Sequence, residues 1–252
     1  MKGKSSVKID ILTIFPRMFE GFLGQSIIKK AQERDLVQMF LHDIRHYALD
    51  KHGTVDDYPF GGGPGMVLKP EPVFRAVEAV QSQGSPGTVI LLTPQGDCFH
   101  HQLAKSLSME ERLLLICGRY KGLDDRIRTL ADREISIGDY VLTGGELPAM
   151  VVIDSVVRLI PGVLGDQESA WSDSFFQGIL DAPQFTRPRV FRGLKVPEIL
   201  LSGDHEQIRI WRKKEALRRT LHRRPDLLKV ISLMEEDKQL IAQIQEEVRG
   251  MK

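Results

Sequence analysis

Residues 7–160 predict an α/β fold on a parallel sheet, and the rest of the chain predicts a smaller all-α part. Three observations carry this. Short apolar runs of strand length alternate with amphipathic runs of helix length up to Ile160, the alternation that builds parallel sheets. Past Gly162 the texture turns polar, then helical with proline-rich connections at Pro183, Pro188 and Pro197. Hydrophobic content of 42% with 27% charged residues is the profile of a soluble globular protein.

Several classes are excluded. No apolar run reaches the roughly 18 residues of a membrane span. The opening MKGKSSVKID lacks the apolar centre of a secretory signal. Cys98 and Cys117 are the only cysteines, too few for a disulfide framework or a metal set, and a reducing cytoplasm suits them. Gly3-Lys4-Ser5 is no phosphate loop, because no glycine stands five residues upstream.

Taken in order, 7–15 reads as a buried strand ending at Pro16, 18–34 as one helix with Phe19, Phe22, Leu23, Ile27, Ile28 and Ala31 apolar, and 36–41 as a strand. The loop 42–65 holds His42, His46, His52, Asp50, Asp56 and Asp57 and ends in Gly61-Gly62-Gly63-Pro64-Gly65. Its histidines and aspartates match no metal-ligand template. Its glycines are not GxGxxG, which leaves a phosphate nest or a plain flexible loop. A helix over 71–81, a strand over 88–92, a helix over 100–107, a strand over 112–116, helical residues over 124–130 and a strand over 134–137 follow. Three of these strands run into loops rich in glycine or proline, at 93–96, 117–122 and 138–145. Ligands of open parallel sheets sit beyond the carboxyl ends of the strands, so these loops should converge on one pocket.

The stretch 147–160 is apolar nearly all round and should be a buried helix. Pro148 suits its first turn and Glu146 the positive end of its dipole. Asp154 and Arg158 interrupt it four residues apart, either as a simple ion pair or as an arginine that the aspartate aims into a site.

Residues 165–174 read as a linker between a domain over 1–164 and a helical module over 175–252. Net charge is +1 overall, yet residues 187–229 carry thirteen Lys or Arg against five Asp or Glu. One helix over 205–223 sets Ile210, Trp211, Leu217 and Leu221 on one side and Arg209, Arg212, Arg219 and Arg223 on another. With Arg187, Arg189 and Arg192 nearby, this excess suggests a nucleic-acid partner. A last helix over 234–248 is most simply a packing element.

The motifs together resemble one family. They are DDYPFGGGPGM at 56–66, TPQG at 93–96, CGRY at 117–120, SIGDYVL at 136–142, GGE at 144–146, PGVL at 161–164, DSF at 173–175, FTRP at 185–188 and LSGDH at 201–205. So many in order, over nearly the whole chain, are similar to the bacterial tRNA (guanine-37-N1)-methyltransferases of the SPOUT class.

The resemblance implies a deep trefoil knot in the sheet domain and a homodimer with each active site built across the interface. No other protein partner is implied. It implies S-adenosylmethionine as methyl donor, held by Pro94, Gln95, Gly96, Gly118, Arg119, Tyr120, Gly122, Ile137, Gly138, Asp139, Tyr140, Val141, Leu142, Gly144, Gly145 and Pro148. Glycines 144 and 145 would let the backbone approach closely. It assigns Asp173 as the base on guanine N1 and Arg158 as the cation at the guanine oxygen, although Asp173 by its sequence context alone reads as a helix N-cap ahead of Phe175. The helical module would hold the anticodon arm of tRNA through Arg187, Arg189, Arg209, Arg212 and Arg219. The family commonly has Glu, linked to magnesium dependence, where Lys121 stands here. A cation cannot ligate a metal, so the resemblance leaves a magnesium requirement open.

Overall fold

The computed structural model describes residues 6–165 and 173–250, and the chain divides into two compact units, Met1–Gln167 and Glu168–Lys252. Gly3-Lys4-Ser5 and most of the 165–174 linker lie outside the described residues.

The first unit is a five-stranded parallel sheet. Its strands are β1 (Val7–Thr13), β2 (Val37–Asp43), β3 (Thr88–Cys98), β4 (Arg112–Cys117) and β5 (Arg133–Ser136), in the order β2-β1-β4-β3-β5. All four neighbouring pairs are parallel. Strands buried on both faces need continuous apolar runs, and all six residues of β4 are buried.

Alternate residues supply two separate cores. Ile9, Ile11, Leu113, Leu115, Cys117 and Ile90 face one way, toward Ile28 and Ala31 of α1 (Ser26–Glu33), Ala104 and Leu107 of α3 (His101–Leu107), and α4 (Glu146–Val157). Leu12, Leu114, Ile116, Val89 and Leu91 face the other way, toward Val73, Ala76, Val77 and Val80 of α2 (Pro70–Gln81). A helix–sheet–helix sandwich follows from the period-2 pattern of the strands.

One buried charge cluster interrupts the second face. Asp10 on β1 accepts from Arg112 Nε and pairs with His42 Nε2, each at 2.8 Å. The Arg112 guanidinium also donates to the carbonyls of Val80, Gln83 and Ser85, which fixes the end of α2. Burial pushes the Asp10 carboxyl up, but the hydrogen bonds of His42 and Arg112 and the charges of Arg112 and Lys8 outweigh it and hold it below its ordinary value.

Three expectations are corrected. The single helix over 18–34 is broken: a short turn at Glu20–Leu23 ends at Gly24, and α1 starts anew at Ser26, which sits at φ 54°. The strand expected to stop at Leu92 pauses instead. It bulges over 93–96 and pairs again at Asp97 and Cys98 against Ile135 and Ser136. The helix over 147–160 is not buried all round, since Leu147 (48% exposed) and Val151 (44%) stand on its open face.

The second unit packs around Ile179, Ala182, Ala216, Leu217, Leu240 and Ile244. It holds a short hairpin, β6 (Val190–Phe191) with β7 (Leu194–Lys195), and two long helices, α5 (His205–Arg223) and α6 (Glu235–Gly250). Asp204 caps α5 by accepting from Gln207 N at 3.0 Å.

Candidate active site

The three loops do converge. Residues 92–95, 118–123, 135–138 and 140–145, with Pro148 from the first turn of α4, wall one cavity of about 470 Å³. That volume is in the range of small-molecule sites.

Backbone contact, rather than side-chain contact, closes the cavity. Gly145 N–H donates to Gly118 O at 2.8 Å, and Arg119 and Gly144 form an antiparallel bridge. A Cβ on Gly145 would stand 2.7 Å from the Cα of Cys117, and one on Gly96 only 2.4 Å from the carbonyl carbon of Glu134. At Gly145 the backbone of 117–118 comes so close that glycine alone permits it. Ser136 pins the next loop: its hydroxyl donates to Gly138 O at 3.1 Å and accepts from Gly138 N at 3.2 Å. Tyr140 Oη donates back to Ile137 O at 3.3 Å.

Of the sixteen residues expected around the donor, Gly96 and Asp139 do not line the cavity. Gly96 acts from behind the wall, where it lets the bulge of β3 seat on β5. The other fourteen are on the wall together.

Sequence reasoning missed a second layer. Glu146, read only as a helix-end acid, is buried; it accepts from Thr13 Oγ1 at 2.8 Å and pairs with Arg119 Nη1 at 3.3 Å. The Arg119 guanidinium also lies over the Phe15 ring at 4.5 Å. Glu146 thus orients a cavity-wall cation from β1 and α4 together. Arg128, also on the wall, ties Gln95 to Glu134 and Asp125. Burial, and then the Glu146 charge, drive the Cys117 thiol well above its ordinary value and keep it inert. Burial, and then the bond to Asp56, raise the Tyr120 hydroxyl.

The loop 42–65 contributes little to this wall. It contains a 3-10 turn at Ile44–Tyr47 and a ladder of Asp56–Asp57 against Val67–Leu68. His42 belongs to the Asp10 cluster, and Asp50 accepts from His52 N and Thr54 N within its own turn. Glycines 61, 62, 63 and 65 all have positive φ, yet none is on the cavity wall. Lys121 is on it, with its N–H donating to Met66 O at 3.1 Å. Among the described residues no three His, Cys, Asp or Glu side chains gather as metal ligands.

Arg158 is half-buried at the C-terminal cap of α4, and its N–H donates to Asp154 O at 3.3 Å. Among the described residues the Asp154–Arg158 ion pair does not form; Asp154 is exposed. Asp173 is half-buried in the second unit, and its carbonyl accepts from Phe176 N at 3.3 Å. It caps no helix ahead of Phe175, because 174–177 form a turn and Phe175 sits at φ 74°.

Within the second unit the arginines differ in state. Arg209 is held by Glu206 and Glu236, Lys213 by Asp237, and Lys214 and Arg218 by Glu247. Helix α6, expected only to pack, supplies three of these carboxylates. Arg187, Arg189, Arg212 and Arg219 form no ion pair among the described residues.

Comparison with known proteins agrees with this picture. The profile of the family described as tRNA (Guanine-1)-methyltransferase TrmD matches residues 7–230. Proteins named tRNA (guanine-N(1)-)-methyltransferase are similar over nearly their whole length. The one from Dictyoglomus turgidum is 56% identical over 96% of this chain and 98% of its own. Those from Moorella thermoacetica and Geobacillus kaustophilus are each 58% identical, over 94% and 96% of this chain and 96% and 99% of their own.

Proposed function

The chain belongs to the tRNA (guanine-1)-methyltransferase family, and from that premise we propose that it moves a methyl group from S-adenosylmethionine to N1 of guanine 37, beside the anticodon, in tRNA. The observation that carries the donor reading is the cavity: three strand-end loops meet in about 470 Å³ with glycines where any side chain would collide. When bound there, S-adenosylmethionine supplies a methyl on a positively charged sulfur and leaves as a neutral thioether. The backbone of 137–142 and of Gly118 and Tyr120 would hold its polar ends, with Leu92 and Pro148 against its apolar parts.

The remaining steps belong to the protein's own groups. Guanine N1 carries a proton and is a poor nucleophile until the proton leaves. Asp173 takes it, a role worth about 10²–10⁴-fold in rate for a well-placed base. The negative charge that then spreads to the guanine oxygen is met by Arg158. Glu146 keeps Arg119 oriented on the wall. The target base has to leave its stack to reach the cavity.

The same reading makes the protein a cytoplasmic homodimer with Asp173 acting across the interface. Its support is the exposed apolar pair Leu147 and Val151 on a helix whose other face is set in the core. No helix of the described residues is long and apolar enough to cross a membrane. A trefoil knot is part of the reading and comes with the family to which the chain belongs. We assign 1–164 to the donor domain and 175–252 to tRNA, where Arg187, Arg189, Arg212 and Arg219 do more than the neutralised Arg209.

Labelled-methyl transfer to tRNA transcripts with guanine or adenine at position 37 tests the substrate, and equal incorporation into both overturns it. Asp173→Asn should lower kcat by about 10²–10⁴-fold at unchanged donor affinity; an unchanged rate removes Asp173 as the base.

A further inference from the structure

A second hollow, of about 340 Å³, lies wholly within the helical unit. Arg187, Arg189 and Arg212 line it, together with Phe185 and the apolar side chains of Val196 and Leu200. The three guanidinium groups come from a loop, the foot of the hairpin and helix α5. Val196 N–H donates to Arg189 O at 3.0 Å, which extends the β6–β7 ladder and fixes the backbone of Arg189.

Several cations of the same unit are already matched by carboxylates, as described for Arg209, Lys213, Lys214 and Arg218. These three, among the described residues, are not. Three unneutralised cations around one concavity raise the local potential for an anion, and a guanidinium's planar fork matches a phosphate. A bare anion would not require the rest of the wall. Phe185 is 46% exposed, and its ring is backed by Trp211, with centroids 6.4 Å apart. The hollow thus brings together guanidinium groups that suit a phosphate and an aromatic ring that suits a flat base.

We propose that this hollow binds one unstacked nucleotide of the RNA substrate, its phosphate held by Arg187, Arg189 and Arg212 and its base lying on Phe185. The inference rests on the tRNA reading above and adds to it a defined subsite, away from the reacting guanine. Stacking on an aromatic ring tolerates any base, so the subsite contributes affinity and registration rather than sequence choice.

The test is equilibrium binding of a fluorescent guanine-37 tRNA transcript to the full chain over a series of salt concentrations. Arg187→Ala/Arg212→Ala should flatten the slope of log K against log salt by up to roughly 0.7–0.9, the share of one phosphate. Phe185→Leu should weaken binding roughly tenfold at an unaltered slope. Both variants should bind S-adenosylmethionine like the wild type, which reports an intact fold. Independently, tRNA carrying 5-bromouridine should photocrosslink to the peptide containing Phe185. Wild-type affinity and slope in both variants, or crosslinks confined to peptides outside 183–212, overturn the subsite while the tRNA reading stands. A wild-type protein that neither binds nor methylates tRNA overturns that reading, and the subsite with it.

Discussion

In the sheet unit Asp10, Arg112 and Glu146 are buried and their partners are fixed: Asp10 with Arg112 and His42, Glu146 with Arg119 and Thr13. In the helical unit most charges stand at the surface, the Lys213–Asp237 pair excepted, and some arginines are matched while others are open. The walls differ likewise. The cavity of the sheet unit is closed by backbone on backbone at glycine, whereas the hollow in the helical unit is lined by long side chains. Pieces fitted so closely in the first unit tolerate no added atom and no lost partner. In the second unit the charges are many and mostly exposed, so the loss of any one should be small, additive and dependent on salt.

The harshest way to break this comparison is to remove one half of the buried pair. Arg112→Met leaves Asp10 buried with its guanidinium gone and should cost about 3–5 kcal/mol in urea unfolding. A loss below about 1 kcal/mol would mean the first unit is no less forgiving than the second. Next is Gly145→Ala, whose Cβ would lie 2.7 Å from Cys117 Cα and 2.9 Å from Gly118 N. Overpacking of this kind costs about 1–3 kcal/mol, and calorimetric titration should find S-adenosylmethionine affinity sharply reduced. Full donor affinity in that variant would detach the glycine crossing from the site.

Acid sharpens the contrast further. Asp10 titrates below its ordinary value in the folded chain, so the unfolded chain binds its proton first as pH falls. Its stabilising contribution is complete above about pH 4 and is lost as pH drops through the lower folded value. Thermal melts should fall steeply in that range, and Asp10→Asn should flatten the fall while lowering stability at neutral pH. The smallest effect is expected at Arg209→Ala. Its charge is already matched by Glu206 and Glu236 at the surface, so thermal stability should not move measurably and the salt slope of tRNA binding should shift less than for Arg212→Ala. A slope change as large as that of Arg212→Ala would show that the ion pairs open when RNA binds.

Much of the sheet unit was legible because its signals are local. The apolar run of β4 and the turn-forming glycines at 118, 144 and 145 can each be read within a few residues of sequence. The break between 23 and 26 was not legible, because the apolar spacing of Phe22, Leu23, Ile27 and Ile28 continues across it. The return of β3 at Asp97 was hidden too, since Thr93-Pro94-Gln95-Gly96 reads as a strand end and only pairing with Ile135 restores it. In the helical unit the excess of positive charge was plain, but α6 was read as packing alone.

By itself the sequence determined the run of elements, the glycines that permit close turns and the sign of the charge on 187–229, because each depends on backbone preference or simple composition. Only the tertiary structure decided that Glu146 meets Thr13 from 133 residues away, that Arg209 is matched by Glu236 while Arg212 is left open, and that Arg187 and Arg212 share one hollow. Hydrogen bonds and ion pairs act over a few ångströms of space, and nothing in the spacing of residues along a chain says which distant groups folding will bring within that reach.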